Sequence, residues 1–278
     1  MNEKTVPLMR KHLQRTQQSD SSNRYRIASC QSTGKERSHN EDSLFTLSSE
    51  AFGVAEPIYF GIFLVADGMG GHQSGEVASR LAVQAVSKDL MDHVFESLIY
   101  HGKANTRGEI NNLMKDAVNQ AQALIQQKVP GGGTTLTLAM VINDQFYSAH
   151  VGDSRLYLID RKGQLSLKTK DHSLVKRLMD LGEISAKEAG EHPQRNVLYR
   201  ALGQEDPLEP DLDHFKLDVH ERMLICSDGL WGVLDAIEIE TMVKRVQNLD
   251  KLTCELVKAA NEAGGPDNIS VILVERIT

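Results

Sequence analysis

The sequence is short of the features that several protein classes require. Three cysteines, Cys30, Cys226 and Cys254, stand far apart in 278 residues with no C-x-x-C pair. An odd, dispersed set argues against a disulfide framework or a thiolate zinc site and fits a reducing cytosol. The longest strongly apolar stretch, Ile58 to Ala66, falls far short of the roughly 20 residues that cross a bilayer. Lys4, Arg10, Lys11 and Arg15 are not followed by an apolar h-region, so no secretory signal is visible. Basic residues are outnumbered, 31 Lys and Arg against 38 Asp and Glu, for a formal net charge of −7. That balance argues against a nucleic-acid binder. There is no H-E-x-x-H and no G-x-S-x-G, which leaves zinc-peptidase and serine-hydrolase readings unsupported. Gly131-Gly132-Gly133-Thr134-Thr135 lacks the lysine of a phosphate loop, and Gly68, Gly70, Gly71 and Gly75 miss the dinucleotide spacing. A cytoplasmic protein with no membrane or nucleic-acid partner is expected.

What remains is ordinary globular material, 40% hydrophobic and 25% charged. Residues 1–23 are polar, rich in Gln and Ser, and read as a flexible leader. Strand-like runs follow at Tyr25–Ser29, Asp42–Leu47, Ile58–Val65, Thr134–Ile142, Gln145–Val151, Arg155–Ile159, Arg222–Cys226 and Asn268–Val274. Asn143-Asp144 marks a tight hairpin. Two long apolar stripes at helical spacing run from about Gly75 to Leu98 and from about Glu109 to Gln127. Asp235 and Asp250 suit the N-caps of two shorter helices, the second stopped by Gly264-Gly265-Pro266. Strands grouped together and helices in pairs predict an α+β fold, antiparallel sheets with helices on their outer faces. Cys226 reads as a packed thiol, and Trp231 as a core or pocket-edge anchor.

The aspartates carry the chemistry. Asp67-Gly68 follows the run Ile62 to Ala66, Asp228-Gly229 follows Leu224 to Ser227, and Asp153 follows Ser148 to Gly152. Asp267 opens one run, and Glu41-Asp42 open another. One Asp-Gly is a common turn signal. Five strand termini with the same arrangement are not, because massed carboxylates repel one another and resist desolvation. A hard divalent cation held by carboxylate and carbonyl oxygens would compensate them. Glycine beside the acid lets a backbone carbonyl approach the ion. His72, close in sequence to Asp67, is the histidine to weigh against a plain loop role.

Eight segments in order resemble the metal-dependent serine/threonine protein phosphatases of type 2C, in their bacterial form. They are Arg37-Ser38-His39-Asn40-Glu41-Asp42-Ser43, Val65-Ala66-Asp67-Gly68-Met69-Gly70-Gly71-His72, Gly133-Thr134-Thr135-Leu136 and His150-Val151-Gly152-Asp153-Ser154-Arg155. Asp171-His172-Ser173, Arg200-Ala201-Leu202-Gly203, Cys226-Ser227-Asp228-Gly229-Leu230 and Gly264-Gly265-Pro266-Asp267-Asn268-Ile269-Ser270 complete the set. The resemblance covers residues 24–278 and implies one catalytic domain, a four-layer α-β-β-α sandwich of two antiparallel sheets flanked by helix pairs. It implies a flap over about residues 171–202. By position, Asp67 would bridge two Mn²⁺ or Mg²⁺ ions and the Gly68 carbonyl would bind one of them. Asp228 and Asp267 would complete one ion's protein ligands, Glu41 and Asp42 would hold the other directly or through waters, and Asp153 with Asp228 would take a third, weaker ion. Arg37 matches the family's phosphate-binding arginine. Met69 stands where animal members have a candidate acid, which leaves His72 as the nearest substitute. Tyr199 replaces the usual small or β-branched residue before Arg200.

The implied reaction is hydrolysis of phosphoserine or phosphothreonine in proteins by a metal-activated water, with no Ser or Cys nucleophile. Substrates would include a serine/threonine kinase, and the chain would act as a monomer. Two rivals stand beside it: a catalytically silent phosphoprotein-binding scaffold, and a metal-dependent nucleotide phosphodiesterase. In this reading the acidic balance no longer argues against a phosphate-ester substrate, since bound cations place positive charge where the phosphate arrives.

Overall fold

The computed structural model describes residues 24–51, 58–70, 73–100, 106–204 and 208–278. The expected leader, residues 1–23, lies outside them. The first half of the chain forms β1 (Tyr25–Ser32), β2 (Asp42–Ala51), β3 (Ile58–Met69), α1 (Gln73–Val94) with a π-helical continuation over Phe95–Tyr100, and α2 (Arg107–Lys128). The middle adds β4 (Gly133–Thr134), β5 (Leu136–Ile142), β6 (Gln145–Val151), β7 (Arg155–Ile159), β8 (Leu165–Leu167), α3 (Leu174–Asp180) and α4 (Ala186–Glu191). The last part supplies β9 (Asp211–Phe215), β10 (Arg222–Cys226), α5 (Asp228–Trp231), α6 (Ala236–Arg245), α7 (Leu249–Glu262) and β11 (Ile269–Arg276).

The strands make two antiparallel sheets. One runs β2-β3-β5-β6-β9, with β4 pairing beside β3; the other runs β1-β11-β10-β7-β8. Three apolar layers hold them. Alternate residues of β3 explain the arrangement, since successive strand side chains point to opposite faces. Ile62, Leu64 and Ala66 join Leu90, Val86, Met114 and Ala121 from α1 and α2 in one layer. Phe63 and Val65 join Met223, Ile225, Ile272 and Val274 of the other sheet in the layer between the sheets. The third layer sets Leu224, Cys226, Val271 and Leu273 against Ile239, Val243, Leu252 and Leu256 of α6 and α7. A strand buried on both faces needs apolar residues at every position, which is why β3 reads as an unbroken apolar run. The result is the expected four-layer α+β sandwich.

Boundaries differ from the sequence expectation where polar chemistry intervenes. β3 runs on through Asp67 and Gly68 to Met69, because Gly68 and Met69 pair with Thr134 and Gly133. The N-cap of α7 is Asn248, whose side chain accepts from the Lys251 N–H at 2.8 Å, and Asp250 falls in the first turn instead. Asp235 caps α6 as expected, in a capping box with Glu238. Asn143 takes the positive φ that its hairpin needs. β8, β9, α3 and α4 were not legible: β9 is a polar edge strand, and neither α3 nor α4 carries a buried stripe.

Packing outweighs local capping in such a fold. Leu90→Ala, at a fully buried position, should lower the unfolding free energy by about 2–5 kcal/mol. Asp235→Ala should lower it by about 1 kcal/mol. Urea unfolding of both variants checks the order.

Candidate active site

The acids meet where the two sheets end together. Asp42 opens β2 directly opposite Asp67 in the ladder, a pairing of like charges that costs stability unless relieved. Asp153 lies in the turn after β6, Asp228 is the first residue of α5 after β10, and Asp267 precedes β11. A cleft of about 490 Å³ is lined by Glu41, Asp67, Gly68, Asp153, Asp228 and Asp267, together with Arg37. Asp42 does not line it. The Asp42 carboxylate is buried beside the cleft, where its Oδ2 accepts from Ser227 Oγ at 2.7 Å and Ser270 Oγ at 2.6 Å.

Close backbone approach sets the local shape. A Cβ on Gly68 would run into the backbone oxygens of Gly75 and Glu41, and one on Gly229 would run into that of Asn268. Asn268 ties its own loop to the β1–β2 connection at three points: its Oδ1 accepts from Glu41 N at 2.7 Å, and its Nδ2 donates to Thr33 O and His39 O. Ser79 Oγ donates to the Glu41 carbonyl at 2.6 Å, and Thr135 Oγ1 accepts from Asp67 N at 2.9 Å. Glu41 is also bonded through Oε1 to His39 Nε2 at 3.0 Å.

Electrostatically the cleft is loaded with negative charge. Burial, then the charges of Asp42, Asp228, Asp153 and Asp267, push the Asp67 carboxyl well above the usual range. Burial and the neighbouring Asp228 and Asp171 do the same to Asp153. Asp228 rises to about 6, from burial and then Asp267. Asp42 rises to about 7, chiefly from burial. Arg37 is the one Lys or Arg lining the cleft among the described residues. Its Nη2 donates to Asp267 Oδ2 at 2.7 Å.

The residues fit a hard cation. Asp42 Oδ1 and Asp228 Oδ1 are buried with no hydrogen-bond partner among the described residues, and the oxygens lining the adjoining cleft are mostly those of carboxylates, as Mn²⁺ and Mg²⁺ prefer. Among the described residues, no three His, Cys, Asp or Glu side chains are gathered tightly enough to enclose an ion. Three of the acids have ties of their own, Asp267 to Arg37, Glu41 to His39 and Asp42 to two serines, and the set lines an open cleft.

The family model for protein phosphatase 2C matches residues 32–273. The chain belongs to the protein phosphatase 2C family. It is 37% identical over 243 residues to the serine/threonine phosphatase Stp of Listeria welshimeri, covering 87% of this chain and 92% of that one. The solved serine/threonine phosphatase of Streptococcus agalactiae superposes with a TM-score of 0.77 at 31% identity, over 91% of this chain and 100% of that one. The catalytic domain of the phosphatase PstP, solved in complex with two manganese ions, gives 0.73 at 29% identity, over 91% and 99% of the two chains.

Within this protein phosphatase 2C domain, Arg37, Glu41, Asp67, Gly68, Asp153, Asp228 and Asp267 come together as the sequence suggested, with Asp42 adjoining them. His72 lies outside the described residues. Three contributors were missed. Thr135 lines the cleft and receives the Asp67 N–H; its Oγ1 is also bonded to Ser154 Oγ at 2.8 Å. Asn196 and Leu198 reach the cleft from the 171–202 segment, and nothing in their own sequence signals it. Cys226 is buried as expected, its thiol pushed up to about 12 by that burial. Trp231 is the pocket-edge anchor: its Nε1–H donates to Asp153 O at 3.0 Å, and the Arg155 guanidinium lies 3.5 Å from its ring centre.

An acid whose folded-state pKa lies above its unfolded value takes up a proton on folding. The stability it supports is complete below the usual carboxylate value and is lost as pH rises through the folded one. In the presence of a chelator the thermal midpoint should therefore fall between pH 5 and pH 8. Asp228→Asn removes a group with a folded value of about 6, and should raise the midpoint at pH 8 by roughly 2–4 °C. Scanning calorimetry at the two pH values reads both effects; a variant with the wild-type pH slope would contradict the assignment.

Proposed function

We propose that the chain hydrolyses phosphoserine and phosphothreonine in proteins with the aid of Mn²⁺ or Mg²⁺ held by the cleft acids. One observation carries the reading: five separate chain segments bring five carboxylates around a single arginine, in a chain of the protein phosphatase 2C family. In this reading Asp67, the Gly68 carbonyl, Asp228, Asp267, Glu41 and Asp42 hold two ions, and Asp153 with Asp228 holds a third, weaker one. When bound, such ions neutralise the crowded carboxylates, offset phosphoryl charge and lower the pKa of water.

The chain's own residues do the rest. Arg37 uses one N–H on Asp267 and keeps four more on its planar guanidinium, suited to gripping two phosphoryl oxygens. Asp267 thereby fixes both a cation position and the arginine that receives the phosphate. Asn268 and Ser79 hold the Glu41 backbone, and Ser227 and Ser270 hold Asp42. Water is assigned as the nucleophile; Cys226 is fully buried and does not line the cleft. His72 is assigned to protonate the leaving alkoxide. The 171–202 segment acts as a flap, contributing Asn196 and Leu198 to the cleft wall.

The same reading has the protein acting as a cytoplasmic monomer opposite a serine/threonine kinase. Among the described residues no helix is long and apolar enough to cross a membrane. A silent scaffold would have no need to keep every one of these acids, and no base-recognition signature favours a nucleotide substrate.

A phosphopeptide assay with and without Mn²⁺, run beside a panel of nucleotides, tests the proposal. Phosphopeptide should be turned over, chelator should abolish turnover and Mn²⁺ should restore it, with nucleotides left intact. Asp228→Asn should lower the rate by more than about 100-fold with the far-UV spectrum unchanged. Arg37→Ala should lower kcat/KM by about 10- to 100-fold. Wild-type rates in the Asp228 variant would sink the metal assignment. Replacing all three cysteines by Ser should spare turnover in any protein that stays folded.

A further inference from the structure

A second cavity, of about 660 Å³, adjoins the catalytic cleft and is larger than it. The two share Arg37, Asp153, Asn196, Asp228 and Asp267, so a polypeptide with its phosphoryl group in the cleft has this cavity beside it. Its volume is within the range of ordinary ligand pockets. Its character is different from that of the cleft. Val175 and Met179, one helical turn apart on α3 and hence on one face, line it together with Ala189 of α4. Trp231 and Val233, which follow β10, supply further apolar lining.

Three features suit this lining to a ligand. Helix α3 has no buried residue, so its apolar pair is only half covered by the protein's own packing. Two of the cations lining the cavity are matched to neighbouring carboxylates. Arg155 makes two bonds to Asp171, at 3.0 and 2.7 Å, and Lys176 pairs with Asp180 at 2.9 Å. Trp231 is held rigidly by the Asp153 carbonyl and by Arg155 stacked on its ring, a preorganised platform that loses little freedom on binding. Arg195 also lines the cavity, donates to the Gly190 carbonyl, and makes no ion pair among the described residues.

We infer that this cavity receives a large apolar side chain flanking the phosphoresidue of the substrate protein, and that it selects phosphorylation sites with such a neighbour. The inference rests on the phosphatase reading above. Continuity with the cleft identifies the occupant as substrate, the Val175, Met179 and Trp231 lining sets its apolar character, and Arg195 disfavours a basic residue there.

The test uses the full chain with Mn²⁺ and a set of phosphothreonine peptides. These carry Leu, Ala or Lys at each of the three positions on either side, and p-nitrophenyl phosphate serves as a substrate without flanks. At one position or more, Leu should exceed Ala in kcat/KM by at least about tenfold, the effect of burying one large apolar side chain, and Lys should rank lowest. Met179→Lys and Val175→Asp should each reduce the Leu-to-Ala ratio to about 1, with turnover of p-nitrophenyl phosphate in the same sample reporting a folded enzyme. Equal rates for Leu and Ala at every position would overturn the inference, as would a ratio that survives both substitutions. Failure to hydrolyse p-nitrophenyl phosphate as well as every peptide would overturn the phosphatase reading, and this inference with it.

Discussion

Glu41, Asp67, Asp153, Asp228 and Asp267 line one cleft, with Asp42 buried beside them. Six carboxylates at the shared end of two sheets repel one another and resist leaving water, and the carboxyl pKa of Asp42, Asp67, Asp153 and Asp228 is raised accordingly. Asp67 shows both at once: burial lifts it most, and four neighbouring aspartates add to the lift. No hydrophobic packing relieves this. The arrangement persists only because the sandwich below it is stable enough to carry the strain, and it is relieved when positive charge arrives. The activity and the instability of the apo site therefore have one physical source.

The architecture is arranged around that constraint. Three apolar layers bring the ends of β2, β3, β6, β10 and β11 to one place, so acids far apart in sequence become neighbours. Local devices then limit the cost. Ser227 and Ser270 each donate to Asp42, Arg37 pairs with Asp267, and His39 engages Glu41. Glycine at 68 and 229 admits neighbouring backbone where a Cβ would collide. Two acids keep a buried oxygen without any partner among the described residues, Asp42 and Asp228. In a well-packed protein such groups are rare, and here they sit where hard cations are expected.

The 171–202 segment joins this centre to the outer surface. Arg155 binds Asp171 at the start of the segment and stacks on Trp231, whose indole N–H holds the Asp153 carbonyl. A single chain of contacts therefore links the segment, the proposed substrate cavity and a cleft acid. Arg200 reinforces its far end through Asp211, at 2.8 Å, and Leu202 bridges to Thr134. The segment is anchored at both ends, and between them Leu181, Val197 and Tyr199 are exposed while Ala189 is buried.

Much of this was determined by the sequence alone. Apolar periodicity marked α1, α2 and the central strands because burial on one or two faces leaves a pattern of 3.6 or 2 residues. Acids at five strand termini, two of them in Asp-Gly pairs, marked the cleft because only a compensating charge makes such clustering tolerable. β8, β9, α3 and α4 left no such pattern, being edge strands or half-exposed helices whose residues answer to solvent as much as to a core. Asp42 shows the limit most clearly. Its position at a strand start was legible, but its enclosure by Ser227 and Ser270 was not, because those serines come from the other sheet. The sequence determined which residues bear the negative charge. Tertiary packing alone decided which of them face one another across the cleft, which carboxylate is buried behind it, and that an apolar cavity opens beside it, since distance and burial arise only when the two sheets meet.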